Sequence, residues 1–310
     1  MGTKAGTRTA LVLLVALVAA AAFAVAGRAD DPRFDQVQSS LGPGIVDAGS
    51  SVLVKAQWHY IDNRTLVHTS VRFTVPDGWT LIDQDPAVCT QPNSTTVSCD
   101  WGTITNGALI SQSVELQTDG DLGLATVESD LIFYEGPRNP GRINIVPAPD
   151  GTTDVISADP TEEPDRVGKC VGSDGGTIQT EPGAGDSETV ADVPETDELC
   201  TPISISERPR QNPTEECLPG FTCVTEIVTT NAALFPITTP IKLRIVFRGT
   251  GLNNLPLIFT SETDQLEVPE CTGSGATPDP CFTDHLARQR SVTWFINWSG
   301  RDPGWTGGGG

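Results

Sequence analysis

Between Ser51 and Tyr60 every second side chain is apolar: Val52, Val54, Ala56, Trp58 and Tyr60 fall on one side, Lys55, Gln57 and His59 on the other. That period of two belongs to a strand with one buried face, because successive side chains of an extended backbone point in opposite directions. The turn residues Ile61-Asp62-Asn63-Arg64-Thr65 follow. A second run then sets Val71, Phe73 and Val75 opposite Ser70, Arg72 and Thr74, and Pro76-Asp77-Gly78 closes it. Further short runs lie at 97–104, at 110–116 with Ile110, Val114 and Leu116, and at 124–134. Strands recurring between turn signals at this spacing predict an antiparallel sandwich. Composition agrees, since 31 Gly, 24 Pro and only 37% hydrophobic residues favour a turn-rich all-β chain over a large helical core.

The first thirty residues are of another kind. Lys4 and Arg8 precede an unbroken apolar run from Ala10 to Ala26, and the chain turns polar at Gly27, Arg28, Asp30 and Asp31. A basic start, an apolar stretch and small residues predict a secretory signal over 1–29, cleaved after Ala26 or Ala29. The alternative is an uncleaved N-terminal anchor, since about 17 apolar residues is the lower limit for crossing a bilayer. Either way the remainder is expected outside the cell or on its surface.

Export decides how Cys89, Cys99, Cys170, Cys200, Cys217, Cys223, Cys271 and Cys281 are read. An even number in an oxidising compartment points to disulfides, although eight cysteines allow too many pairings for the connectivity to follow from sequence. The simplest scheme joins nearest neighbours: Cys89 with Cys99, Cys170 with Cys200, Cys217 with Cys223, and Cys271 with Cys281. Zinc is not expected, because even the closest cysteines, Cys217 and Cys223, are spaced more widely than structural zinc sites use.

The segment Val71 to Leu81, reading VRFTVPDGWTL, is followed by Cys89, by Thr96-Val97-Ser98-Cys99 and by Trp101-Gly102-Thr103-Ile104. Over about residues 47–133 this resembles the bacterial surface "conserved repeat domain", domain of unknown function eleven. In that family a strand leads into Leu-Pro-x-Gly, and a cysteine pair flanks a short hairpin. The resemblance implies an immunoglobulin-like sandwich in an exported architectural or adhesive module, with no catalytic residue. Val75 stands where the family usually has Leu, and the late Asn-Thr of the pattern is absent from Thr126-Val127-Glu128-Ser129.

Residues 31–135 are thus expected to form the sandwich, and 136–169 an extended linker rich in proline and acid, with one strand possible between Asn144 and Ile156. A second β-rich, disulfide-containing domain is expected over 170–300. There Ile241, Leu243, Ile245 and Phe247 alternate with Lys242, Arg244 and Arg248, and Pro256 to Phe259 and Val292 to Trp298 read as strands. Its Pro278-Asp279-Pro280-Cys281 segment and terminal Trp-bearing strand faintly resemble exported actinobacterial proteins of unknown function. The glycine-rich tail at 301–310 is expected to be disordered.

Catalytic chemistry is hard to find. His59 and His68 lie on polar faces of adjoining strands and could meet across a hairpin around a metal, but two solvated histidines are the simpler reading. Neither they nor His285 come with a Gly-x-Ser-x-Gly elbow. Gly172-Ser173-Asp174-Gly175-Gly176 lacks the lysine of a phosphate loop and reads as a turn. Asp119-Gly120-Asp121 and Asp150-Gly151-Thr152-Thr153-Asp154 do not have calcium-loop spacing. A formal charge of -21 excludes the cationic surface that nucleic acid requires.

No cofactor, metal or catalytic residue is therefore expected. Membrane contact would come only through an uncleaved N-terminal segment. The first function is an exported structural or adhesive module without catalytic activity, binding a surface protein or a glycan. The alternative is a secreted hydrolase acting on carbohydrate through a carboxylate pair. Exposed Trp79, Trp101 or Trp305 would offer sugar a platform under either.

Overall fold

The computed structural model describes residues 34–135, 143–159, 165–180, 187–208, 227–232, 239–249, 257–260, 265–299 and 305–309. The N-terminal segment at 1–29 and the Cys217–Cys223 pair lie outside these residues. Every regular element among them is a strand. In chain order the first eleven are β1 (Phe34–Gly42), β2 (Ile45–Asp47), β3 (Ser51–Tyr60), β4 (Leu66–Thr74), β5 (Thr80–Asp85), β6 (Cys89–Asn93), β7 (Thr96–Ile104), β8 (Leu109–Gln117), β9 (Gly123–Glu135), β10 (Asn144–Pro147) and β11 (Gly151–Ile156). The rest are β12 (Arg166–Gly172), β13 (Gly176–Gln179), β14 (Ser187–Val193), β15 (Cys200–Arg208), β16 (Ile227–Ala232), β17 (Ile241–Arg248), β18 (Leu257–Thr260), β19 (Gln265–Glu267), β20 (Cys281–Arg288), β21 (Ser291–Trp298) and β22 (Trp305–Gly309).

The first eleven build an immunoglobulin-like sandwich. One sheet has the order β1-β3-β8-β5; the other has the order β2-β11-β9-β4-β7-β6, with β10 also on β9. All pairings in it are antiparallel except β11 with β2. The alternation of β3 is what fills its interior: Val52, Val54, Ala56, Trp58 and Tyr60 are buried while Lys55, Gln57 and His59 are half-buried. They meet Leu66, Val71, Phe73, Leu131 and Phe133 from the opposite sheet in one core. Burying a side chain of this size contributes about 1.5–3 kcal/mol, so this interior dominates the stability of the sandwich. The chain between β3 and β4 crosses from one sheet to the other, and the Tyr60 hydroxyl secures it by donating to the Arg64 carbonyl at 2.7 Å.

The second unit repeats the architecture. Sheets of order β12-β15-β16-β22-β18-β19 and β13-β14-β17-β21-β20 enclose a core that includes Ile203, Ile205, Ile241, Leu243, Ile245, Phe247, Trp294 and Trp298. The chain is therefore all-β, as its alternation predicts.

Two boundaries differ from expectation. The middle of the expected linker, Asn144 to Ile156, belongs to the first sandwich, because β10 pairs with Asp130–Phe133 and β11 with Gly123–Val127. The Trp58 indole donates to the Val146 carbonyl at 3.1 Å, so a core tryptophan of β3 holds β10. Proline does not prevent this, since an edge strand tolerates residues that cannot extend the ladder. The tail is likewise not disordered throughout: β22 lies between β16 and β18, where its backbone groups find partners on both sides.

Candidate functional site

The structure closes three of the four nearest-neighbour disulfides, Cys89–Cys99, Cys170–Cys200 and Cys271–Cys281. Cys89 and Cys99 sit opposite each other in the β6–β7 ladder, and Cys170 faces Pro202, two residues along the β12–β15 ladder from Cys200. The first two bridges join neighbouring antiparallel strands, which already hold the two backbones at disulfide distance.

The histidines do not converge. Since β3 and β4 are in different sheets, the hairpin that would join His59 to His68 does not exist. His59 Nδ1 contacts the Asp35 carboxylate on the outer face. His68 is exposed at an irregular point of β4 with φ of 50°, its ring edge-on to Tyr134. His285 stacks on Trp294 with ring centroids 4.8 Å apart, in the other unit.

The tryptophan platform is also corrected. Trp79 is 2% exposed and belongs to the core. Trp101 is half-buried and donates its indole N–H to Gln112 Oε1 at 3.0 Å. The side chain of Trp305 lies outside the described residues.

The acidic turns hold themselves. Asp119 Oδ1 accepts the Asp121 amide at 3.1 Å, and its other carboxylate oxygen faces Gly78 so closely that a Cβ there would lie 2.5 Å away. Gly78 has φ of 88°, so the Pro76-Asp77-Gly78 turn needs glycine for its backbone. Asp154 pairs with Arg166 at 2.9 Å. Gly172 to Gly176 is the β12–β13 turn, closed by the Gly175 amide on the Gly172 carbonyl at 2.9 Å. Among the described residues one group has metal-ligand proximity, Glu115 with Cys170 and Cys200 within 4.8 Å, but the disulfide removes both thiolates.

That group marks the feature sequence reading missed. Leu53 points away from the core of its own sandwich yet is 2% exposed. Strands β12 and β15 of the second unit pack over it and over β2. On β15 both faces are buried from Cys200 to Ile205, which a strand shows when its outer face is covered too. Lys55 Nζ donates to Glu198 Oε1 at 3.2 Å, and the Gly168 amide donates to Asp47 Oδ1 at 3.2 Å. Gly168 is pressed so near β2 that a Cβ would fall 1.7 Å from the Ile45 carbonyl oxygen. Arg166 reaches Asp154 on β11 across the same line. The one signal in sequence was the unbroken apolar triplet Val52-Leu53-Val54 inside an alternating strand.

No family model matches the chain, and no curated protein matches it. Solved structures similar to part of it include the third cohesin of ScaC, in complex with the ScaB dockerin, from Acetivibrio cellulolyticus, at 16% identity and a TM-score of 0.29 over 39% of this chain and 99% of that one. The cohesin module of a family 33 glycoside hydrolase from Clostridium perfringens gives 12% and 0.28 over 39% and 97%. A non-cellulosomal cohesin from Archaeoglobus fulgidus gives 11% and 0.25 over 41% and 95%.

Proposed function

We propose that this chain is an exported structural or adhesive module without catalytic activity, presenting two docked sandwiches to a protein or glycan at the cell surface. The observation that supports this reading is the junction: an apolar side chain, an ion pair, an amide–carboxylate hydrogen bond and a close backbone approach all couple the units. Relative domain motion is the default across a small polar contact, and this one is built against it. Rigid coupling suits a spacer that holds a binding face at a fixed distance. The disulfides in both units fit an oxidising compartment. The reading includes kinship of residues 47–133 with the surface conserved repeat domain.

The test pairs location with chemistry. The native protein should be recovered outside the cytoplasm, starting after Ala26 or Ala29. Purified oxidised chain should release no reducing sugar from a panel of cell-wall and plant polysaccharides. Sustained release, abolished by a single carboxylate-to-amide substitution, would replace this reading with the hydrolase.

A further inference from the structure

Strand β20 is the outermost strand of its sheet, paired on one side with β21. Its first residues are covered, since Phe282 exchanges backbone hydrogen bonds with Pro269 and Cys271. From Thr283 to Arg288 the other edge meets no strand among the described residues, and each of those six residues is exposed. An open edge is a template for another strand. We propose that β20 pairs antiparallel with β20 of a second copy of this chain, joining the two five-stranded sheets about a twofold axis at Leu286.

The side chains select both the occupant and the register. Asp284, Leu286 and Arg288 share one face of β20, opposite Phe295, Thr293 and Ser291 of β21. A twofold axis through Leu286 sets the two Leu286 side chains, each 45% exposed, against one another. It also sets Asp284 of each copy opposite Arg288 of the other, giving two opposite-charge pairs on that face. Neither Asp284 nor Arg288 has an ion-pair partner among the described residues, so both are available. Shifting the register by two residues either way breaks this pattern, setting Asp284 or Arg288 against Leu286. The outer edge of β5, which meets no strand among the described residues and where the Leu81 amide donates to Gln91 Oε1, offers the contrast. It carries Asp83 and Asp85 and no cation, so the same operation would oppose like charges. In a chain with a formal charge of -21, an edge that carries its own balancing cation lets two copies meet without opposing like charges.

The test is sedimentation equilibrium on the full oxidised chain over a wide concentration range, at about 0.15 M salt, where repulsion between distant charges is screened beyond about 8 Å. A monomer–dimer equilibrium is expected, weak because one strand pair buries less than a standard interface. Asp284→Arg alone and Arg288→Asp alone should each weaken it at least about threefold. The double variant Asp284→Arg with Arg288→Asp should restore it, because the swap preserves both pairs. Leu286→Lys should abolish it. All these side chains are exposed, and circular dichroism checks that the variants remain folded. A monomer at every concentration overturns the proposal, as does a dimer that the single substitutions leave unchanged or the double swap fails to restore.

Discussion

Replacing Gly168 with alanine tests the junction against an internal control. Gly168 and Gly172 lie on the same strand, four residues apart and so on the same face. A Cβ at Gly172 meets nothing within 4 Å, whereas one at Gly168 would lie 1.7 Å from the Ile45 carbonyl oxygen, 2.5 Å from its carbon and 3.1 Å from Val46 Cα. The gain from stiffening the unfolded chain, about 0.4–1 kcal/mol for Gly→Ala, is common to both substitutions and cancels in their difference. What remains is steric. The strands must part by roughly 1.7 Å to bring that oxygen into ordinary contact at 3.4 Å. Overpacking of this kind costs about 1–3 kcal/mol. The same movement weakens the hydrogen bond from the Gly168 amide to the Asp47 carboxylate, worth about 1 kcal/mol at a part-buried site.

Gly168→Ala should therefore be less stable than Gly172→Ala by about 2–4 kcal/mol. Urea melts read by tryptophan fluorescence suit the comparison, because Trp58 and Trp79 report the first core and Trp294 and Trp298 the second. If the junction opens instead of straining, small-angle scattering should show a larger radius of gyration and the two cores should melt separately. Two variants equal within about 0.5 kcal/mol, with unchanged scattering, would refute the close approach of β12 to β2.

In the same melts Trp58→Ala should cost about 3–5 kcal/mol, because it empties a core position and orphans the Val146 carbonyl, while His59→Ala on the outer face should cost under about 1 kcal/mol. The reverse order would exchange the faces of β3. Removing Cys89–Cys99 with a double serine substitution should cost about 2.5–3 kcal/mol by the loop-entropy account, and a loss below 0.5 would mean that the ladder alone holds this hairpin. The Arg64 guanidinium, hydrogen-bonded to Asp62, holds that carboxyl below its ordinary value, so the pair stabilises the fold above the unfolded pKa near 3.9 and ceases to as pH falls through the lowered folded value. Arg64→Ala should move the Asp62 NMR titration midpoint upward, and a stationary midpoint would remove Arg64 as the cause.

Alternation was legible wherever one face of a strand is dry and the other wet, which is why β3, β4, β17 and β21 could be read directly. It fails where both faces share one fate. Along β20 both faces are exposed beyond Phe282, so Cys-Phe-Thr-Asp-His-Leu-Ala-Arg shows no period; along β15 both are buried as far as Ile205, so its serines disguise an interior strand. Prolines hid β10 and glycines hid β22, because edge position and backbone pairing, not side chains, decide those two. The hairpin that would bring His59 to His68 is absent for a topological reason: face assignments within one strand do not say which strands become neighbours, and β3 and β4 part to different sheets. The junction follows a rule of its own. Period two reports the two faces of a single sheet, so three consecutive buried apolar residues in a strand, Val52-Leu53-Val54, require cover on the far side as well. Leu53, 2% exposed, is such a residue, and the second sandwich supplies the third layer.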